Sequence, residues 1–198
     1  VSEQRDLPQE PEQLEERRLK VKREVPADAL YKAYKMCKRT DPMYHTTDLL
    51  SDVLGLGKSS RLHVRLVKEL KLFSEISAYV MGSFEDGLFI ISGKLLPEVS
   101  FDKAEEAIQS EIDRLLQEGI SGDELMKVKN KIESTHQFSE TSVLNKAMSL
   151  SIAELLGKAE DVNEEVNKYL AVSAADIHKV AKDILKPSNC STLIYAKE

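Results

Sequence analysis

With 198 residues, 41% hydrophobic and 31% charged, the chain has the composition of an ordinary folded domain with one sizeable core. Its formal net charge of −6 argues against a nucleic-acid binder, which carries a basic excess. No apolar run approaches the roughly 20 residues that cross a bilayer, and no signal-like segment follows Val1. The expectation is a soluble domain excised from a longer polypeptide. Cys37 and Cys190 lie outside any Cys-x-x-Cys motif and read as unpaired small hydrophobes.

Residues 1–15 are polar, proline-bearing and aperiodic, the composition of a linker, which leaves 16–198 as the folded domain. Leu19, Val21 and Val25 alternate with Lys20, Lys22 and Glu24, predicting a strand over 16–25. The density of charge there suits a solvated edge strand guarded against aggregation. After Pro26 and Asp28, Ala29–Met36 reads as a second strand, less cleanly alternating and so covered on both faces. A helix follows over 47–54, with Leu49, Leu50, Val53 and Leu54 on its apolar side.

Gly55 and Gly57 supply a tight turn. Leu62, Leu66 and Leu70 then recur at helical spacing, with Arg61, Arg65, Lys68 and Lys71 mostly opposite, predicting a basic amphipathic helix over 60–70. Ile76, Ala78 and Val80 alternate with Ser77 and Tyr79, a strand over 75–81. Glu85-Asp86-Gly87 is turn chemistry, and the apolar run 88–91 suits a well-covered strand.

The remainder is helical until the end. Ser100 and Gly119 bound a helix with Ala104, Ile108, Ile112 and Leu115 inward, and Glu105, Glu106, Glu111 and Asp113 expected toward solvent. Ser121 and Glu124 form a capping box that opens a helical region bending near Ser139 and ending at Gly157. A short helix over 162–170 precedes one opened by Ser173, with Ile177, Val180, Ala181 and Ile184 on one face, stopped by Pro187. Residues 191–196 close the chain as a strand. Hairpins with segregated helices predict an α+β fold, one mostly antiparallel sheet covered by helices on one side.

The ordered string G-x-G-K-S-S-R-L (55–62), a basic helix, S-x-Y (77–79) and D-G-L-F-x-I-S (86–92) resembles the pitrilysin/insulinase family of zinc metallopeptidases. Within that family it is similar to the non-catalytic C-terminal half-domain, of the mitochondrial-processing-peptidase type, from about Glu15 onward. The active half of such enzymes carries His-x-x-Glu-His, whose histidines share one helix face while the glutamate activates metal-bound water. None of His45, His63, His136 and His178 has that spacing. His136 with Glu140 comes nearest and reads as a solvated helix face. No catalytic or metal-binding residue is therefore expected in this chain.

The resemblance implies a homologous partner half holding the zinc, on the same polypeptide or a second subunit. This chain would close against it around a peptide substrate. The alternative is a structural or interaction domain that kept the fold and lost the chemistry. The family also carries an arginine and, seven residues on, a tyrosine that stabilise oxyanion charge. Val67 and Ser74 stand at those positions, so the donors are lost. The two positions are expected at the substrate cavity, with plain core packing as the competing reading. Gly57-Lys58-Ser59 looks like the end of a phosphate-binding loop, but Asp52 stands where that loop needs glycine. A glycine joint explains it better.

Overall fold

The computed structural model describes residues 11–198. Five strands form one sheet: β1 (Arg17–Arg23), β2 (Ala29–Met36), β3 (Phe73–Met81), β4 (Gly87–Leu95) and β5 (Cys190–Lys197). Their spatial order is β1-β5-β2-β4-β3, antiparallel throughout except that β1 runs parallel to β5. The α-helices among the described residues are α1 (Tyr44–Gly55), α2 (Phe101–Glu118), α3 (Gly122–Ser139), α4 (Val143–Leu156), α5 (Glu165–Ala171) and α6 (Ala174–Ile184). No described helix is long and apolar enough to cross a membrane. Both cysteines are free.

Side-chain alternation decides which face of the sheet carries the core. Leu30, Tyr34 and Met36 of β2, Ile76 and Ala78 of β3, and Phe89, Ile91 and Leu95 of β4 are buried together. The helices meet them with Leu49, Leu50, Val53 and Leu54 of α1, Ala104, Ile108 and Ile112 of α2, and Ile177, Val180 and Ala181 of α6. Burial of this apolar area is the main term holding the two layers together. Among the described residues no helix lies on the other face of the sheet. Tyr31 is 37% exposed and Leu88 39%, so neither β2, expected covered from its unclean alternation, nor β4, from its apolar run, is covered on both faces.

The helix starts obey local chemistry. Ser121 with Glu124, and Ser173 with Asp176, form reciprocal capping boxes, and Ser100 accepts from the Lys103 N–H. Gly119 ends α2 with φ 73°, where a side chain would be strained. Long α4 buries none of its residues completely and leaves Val143 and Leu144 exposed.

Three expectations need correction. Segment 60–70 is not a regular α-helix: His63–Glu69 is π-helical, with the Leu70 N–H donating to the Arg65 carbonyl at 2.9 Å. Closure five residues back changes the phase of the apolar stripe, which leaves Leu70 exposed while Leu62 and Leu66 stay buried. The acidic side of α2 is not all solvated. Glu111 is buried, which pushes its carboxyl pKa up, and Glu105 takes a bidentate pair from Arg18 at 2.7 and 2.9 Å. Third, His136 is half-buried and Glu140 pairs with Lys146 at 3.3 Å, so those two do not make one solvated helix-face pair.

β1 is the edge strand its charges predict. Of the linker assigned to 1–15, residues 1–10 lie outside the described residues. Gln13 is buried, its amide donating to the Cys190 carbonyl at 2.8 Å.

Candidate functional site

The uncovered sheet face is the candidate site, and register fixes which side chains share it. β2–β4 and β3–β4 pairing aligns Ala33, Ile90 and Tyr79 in one row, and Tyr31, Ser92 and Ser77 in the next. Lys35, Leu88 and Met81 make a third. Antiparallel pairing of β2 with β5, and parallel pairing of β5 with β1, extend the Tyr31 row through Leu193 to Leu19. Tyr79 and Met81 are 40% and 55% exposed. Tyr31, Tyr79, Met81 and Leu88 stand partly in solvent around buried Ile90, and such apolar parts on a pleated surface form a ready contact for an extended peptide.

Small residues hollow the middle of this face. Ser77 and Ser92 face each other with their hydroxyls 3.3 Å apart. Around them lies a shallow recess of about 250 Å³, lined by Tyr31, Glu75, Ser77, Ser92 and Lys94. Lys94 and Glu75 close its rim with an ion pair at 2.8 Å, which raises the pKa of the lysine. The pair is exposed to solvent and contributes little to stability.

Ser74 and Val67 lie at different levels. Ser74 sits in the β-bulge between Phe73 and Glu75, exposed, its hydroxyl donating to the Lys94 carbonyl at 3.2 Å. A bulge redirects the side chain it carries, which sequence alternation cannot foresee. Val67 is on the π-helix, half-buried and packed against the core. A guanidinium there can reach water at the cost of some packing. Val67→Arg is expected to lose about 1–2 kcal/mol, a fall of about 2–8 °C in melting temperature, whereas exposed Ser74→Tyr stays within about 0.5 kcal/mol. Loss of cooperative melting in Val67→Arg would mark that position as core.

The residues present do not suit zinc. Among the described residues no group of three His, Cys, Asp or Glu side chains could hold a metal ion. His45 is committed to Glu165 at 3.1 Å, and His178 Nε2 lies 2.8 Å from the Leu116 carbonyl. What the sheet face offers is shape, apolar area and a few hydroxyls.

Comparison with known proteins locates this architecture. A model of the peptidase M16 inactive domain matches residues 1–132. An uncharacterized zinc protease of Rickettsia bellii (strain RML369-C) is 26% identical over 154 residues, which is 76% of this chain and 36% of the relative. Among solved structures, a protease from Helicobacter pylori superimposes with a TM-score of 0.93 at 20% identity, over 99% of this chain and 47% of that one. A peptidase M16 inactive domain from Pseudomonas fluorescens gives 0.77 at 16% identity, over 98% and 46%. The chain thus spans about a third of the curated relative and half or less of these two solved chains.

Proposed function

Since the chain belongs to the peptidase M16 inactive-domain family, we propose that it is the non-catalytic half of a zinc metallopeptidase, closing against a zinc-bearing half to enclose peptide substrate. The observation that carries this reading is the apolar sheet face, left open although the other face is fully packed. Zinc held by the other half supplies the hydrolytic chemistry. The residues of this chain do the rest: Tyr31, Tyr79 and Met81 bury apolar side chains of the substrate, and the recess at Ser77 and Ser92 receives one of them. Enclosure excludes bulk water and selects chains flexible enough to fit. Val67 and Ser74 belong to the wall of the same chamber in this reading.

The test is reconstitution. Mixed with its zinc-bearing half, the chain should restore cleavage of a quenched fluorogenic peptide, and a chelator should abolish it. Equal cleavage by the zinc half alone would sink the proposal. Tyr79→Asp should lower kcat/KM about tenfold by removing about 1–2 kcal/mol of apolar contact, with an unchanged melting temperature.

A second reading is favoured by one observation. Valine and serine stand where the resembled family keeps its two donors, as a domain retained for structure or interaction would allow. Under that reading the reconstituted pair shows no chelator-sensitive cleavage.

A further inference from the structure

A second hollow lies on the helix side of the molecule, with a volume of about 540 Å³. That falls within the range of small-molecule sites, roughly 300–1,000 Å³. One wall is apolar: Ile152, Ala153 and Leu156 of α4 with Val162 from the 3-10 turn (Ala159–Glu164) before α5. The polar groups come from the loop between β2 and α1, from α3, from α5 and from Asp161 of the same 3-10 turn.

The charges in this cleft are unequally committed. Glu165 is satisfied, with His45 Nε2 at 3.1 Å and Lys168 Nζ at 3.2 Å, and is held at a pKa of about 2, chiefly by the His45 hydrogen bond. Asp41 accepts the Met43 N–H at 2.8 Å. Arg39 differs. Its guanidinium makes no ion pair or hydrogen bond among the described residues; it lies over the Tyr44 ring, 5.8 Å from the centroid. Asp161 uses one carboxylate oxygen to accept the Lys158 N–H at 3.2 Å, and the other has no hydrogen bond among the described residues. The His136 ring likewise makes no hydrogen bond among the described residues.

Two cationic side chains, Arg39 and Lys168, therefore face three carboxylates across an apolar wall. A purely anionic guest meets a net negative surround and a purely cationic one meets an uncommitted guanidinium. A guest bearing both charges satisfies both. We propose that this cleft binds a short zwitterion with an apolar side chain, a free amino acid or a small peptide. Its carboxylate pairs with Arg39, its ammonium with Asp161, and its side chain lies on Ile152 and Leu156. The site needs neither the zinc half nor the open sheet face, so its fate and that of the proposed function are separable.

Titration calorimetry on the full 198-residue chain tests this with Ala-Leu, N-acetyl-Ala-Leu, Ala-Leu-amide and free leucine. Ala-Leu should bind saturably, and blocking either end should weaken binding about tenfold or more, the worth of one charge-assisted hydrogen bond. Arg39→Gln should erase the difference between acid and amide while keeping the penalty for N-acetylation. Asp161→Asn, which keeps a capping oxygen, should do the reverse. The His136 ring resonances should move with ligand, placing it in the cleft. Free leucine binding as tightly as Ala-Leu would assign the site to amino acids and leave the zwitterion chemistry standing. The proposal is overturned by absent saturable binding in the millimolar range or equal affinity of the blocked forms. Acid–amide discrimination surviving in Arg39→Gln would also overturn it.

Discussion

Gly55→Ala should lower the melting temperature by about 10 °C, through a cost of about 3 kcal/mol or more. Gly55 ends α1 where that helix crosses β3, and a β-carbon added there would stand 1.8 Å from the Ala78 nitrogen. It would also lie 2.6 Å from the Ala78 Cα and Cβ. These are strand atoms, held by the pairing of Ala78 with Ile91, and they cannot swing aside as a long side chain can. Relief requires lifting the end of α1 off the sheet, which opens space beside buried Val53 and Leu54. Gly57 is the control. Its φ of +82° strains any side chain, yet a β-carbon there meets nothing within 4 Å, so Gly57→Ala should cost only about 1 kcal/mol. Thermal melts of both variants by circular dichroism separate the two causes. A Gly55→Ala protein melting like the parent would contradict the close crossing of α1 over β3.

That crossing shows where the sequence stops being informative. Read alone, Gly55 and Gly57 make one turn, because both are glycine and two residues apart. Only the fold shows that Gly57 is there for its backbone angle and Gly55 for the space beside Ala78. Features closed within a few residues were legible: the box at Ser121, the helix start at Ser173, the stops at Gly119 and Pro187, and the alternation along β3. Features closed by distant partners were not. Glu105 sits among acidic neighbours and reads as solvated, yet it pairs with Arg18, 87 residues earlier. Glu111, on the same acidic helix, is buried, because the helical period turns it toward Arg61 and Arg114. The open sheet face was legible in part. One-sided cover followed from the segregation of helices, but β2 and β4 read as apolar on both sides. In this fold Tyr31, Tyr79, Met81 and Leu88 on the second side are exposed, which is the feature a partner or peptide would use under the proposed function.

The other large effect is expected at Arg61, whose replacement by alanine should cost about 2–3 kcal/mol. Arg61 Nε donates to Glu124 Oε1 at 2.6 Å, and its Nη2 donates to Glu124 Oε2 at 2.9 Å and to the Gly119 carbonyl at 2.8 Å. One side chain thus joins the segment before the π-helix to the end of α2 and the start of α3. The pair is largely shielded, with 13% and 25% of the two side chains exposed. Alanine would leave the Gly119 carbonyl and one carboxylate edge without their donor. Lysine would restore the charge and not the fork, so Arg61→Lys should recover only part of the loss. The pairing also predicts an acid signature. The Arg61 hydrogen bond holds the Glu124 carboxyl down from the ordinary 4.5 to about 2. A carboxyl depressed in the folded state contributes stability in full above its unfolded value, and that contribution is lost as pH falls from about 4.5 to about 2. The gap between parent and Arg61→Ala in urea unfolding should therefore be widest near neutral pH and shrink between pH 4.5 and 2. A gap that stays constant through that window would mean that Arg61 acts by packing its carbon chain, and that its charge contributes nothing.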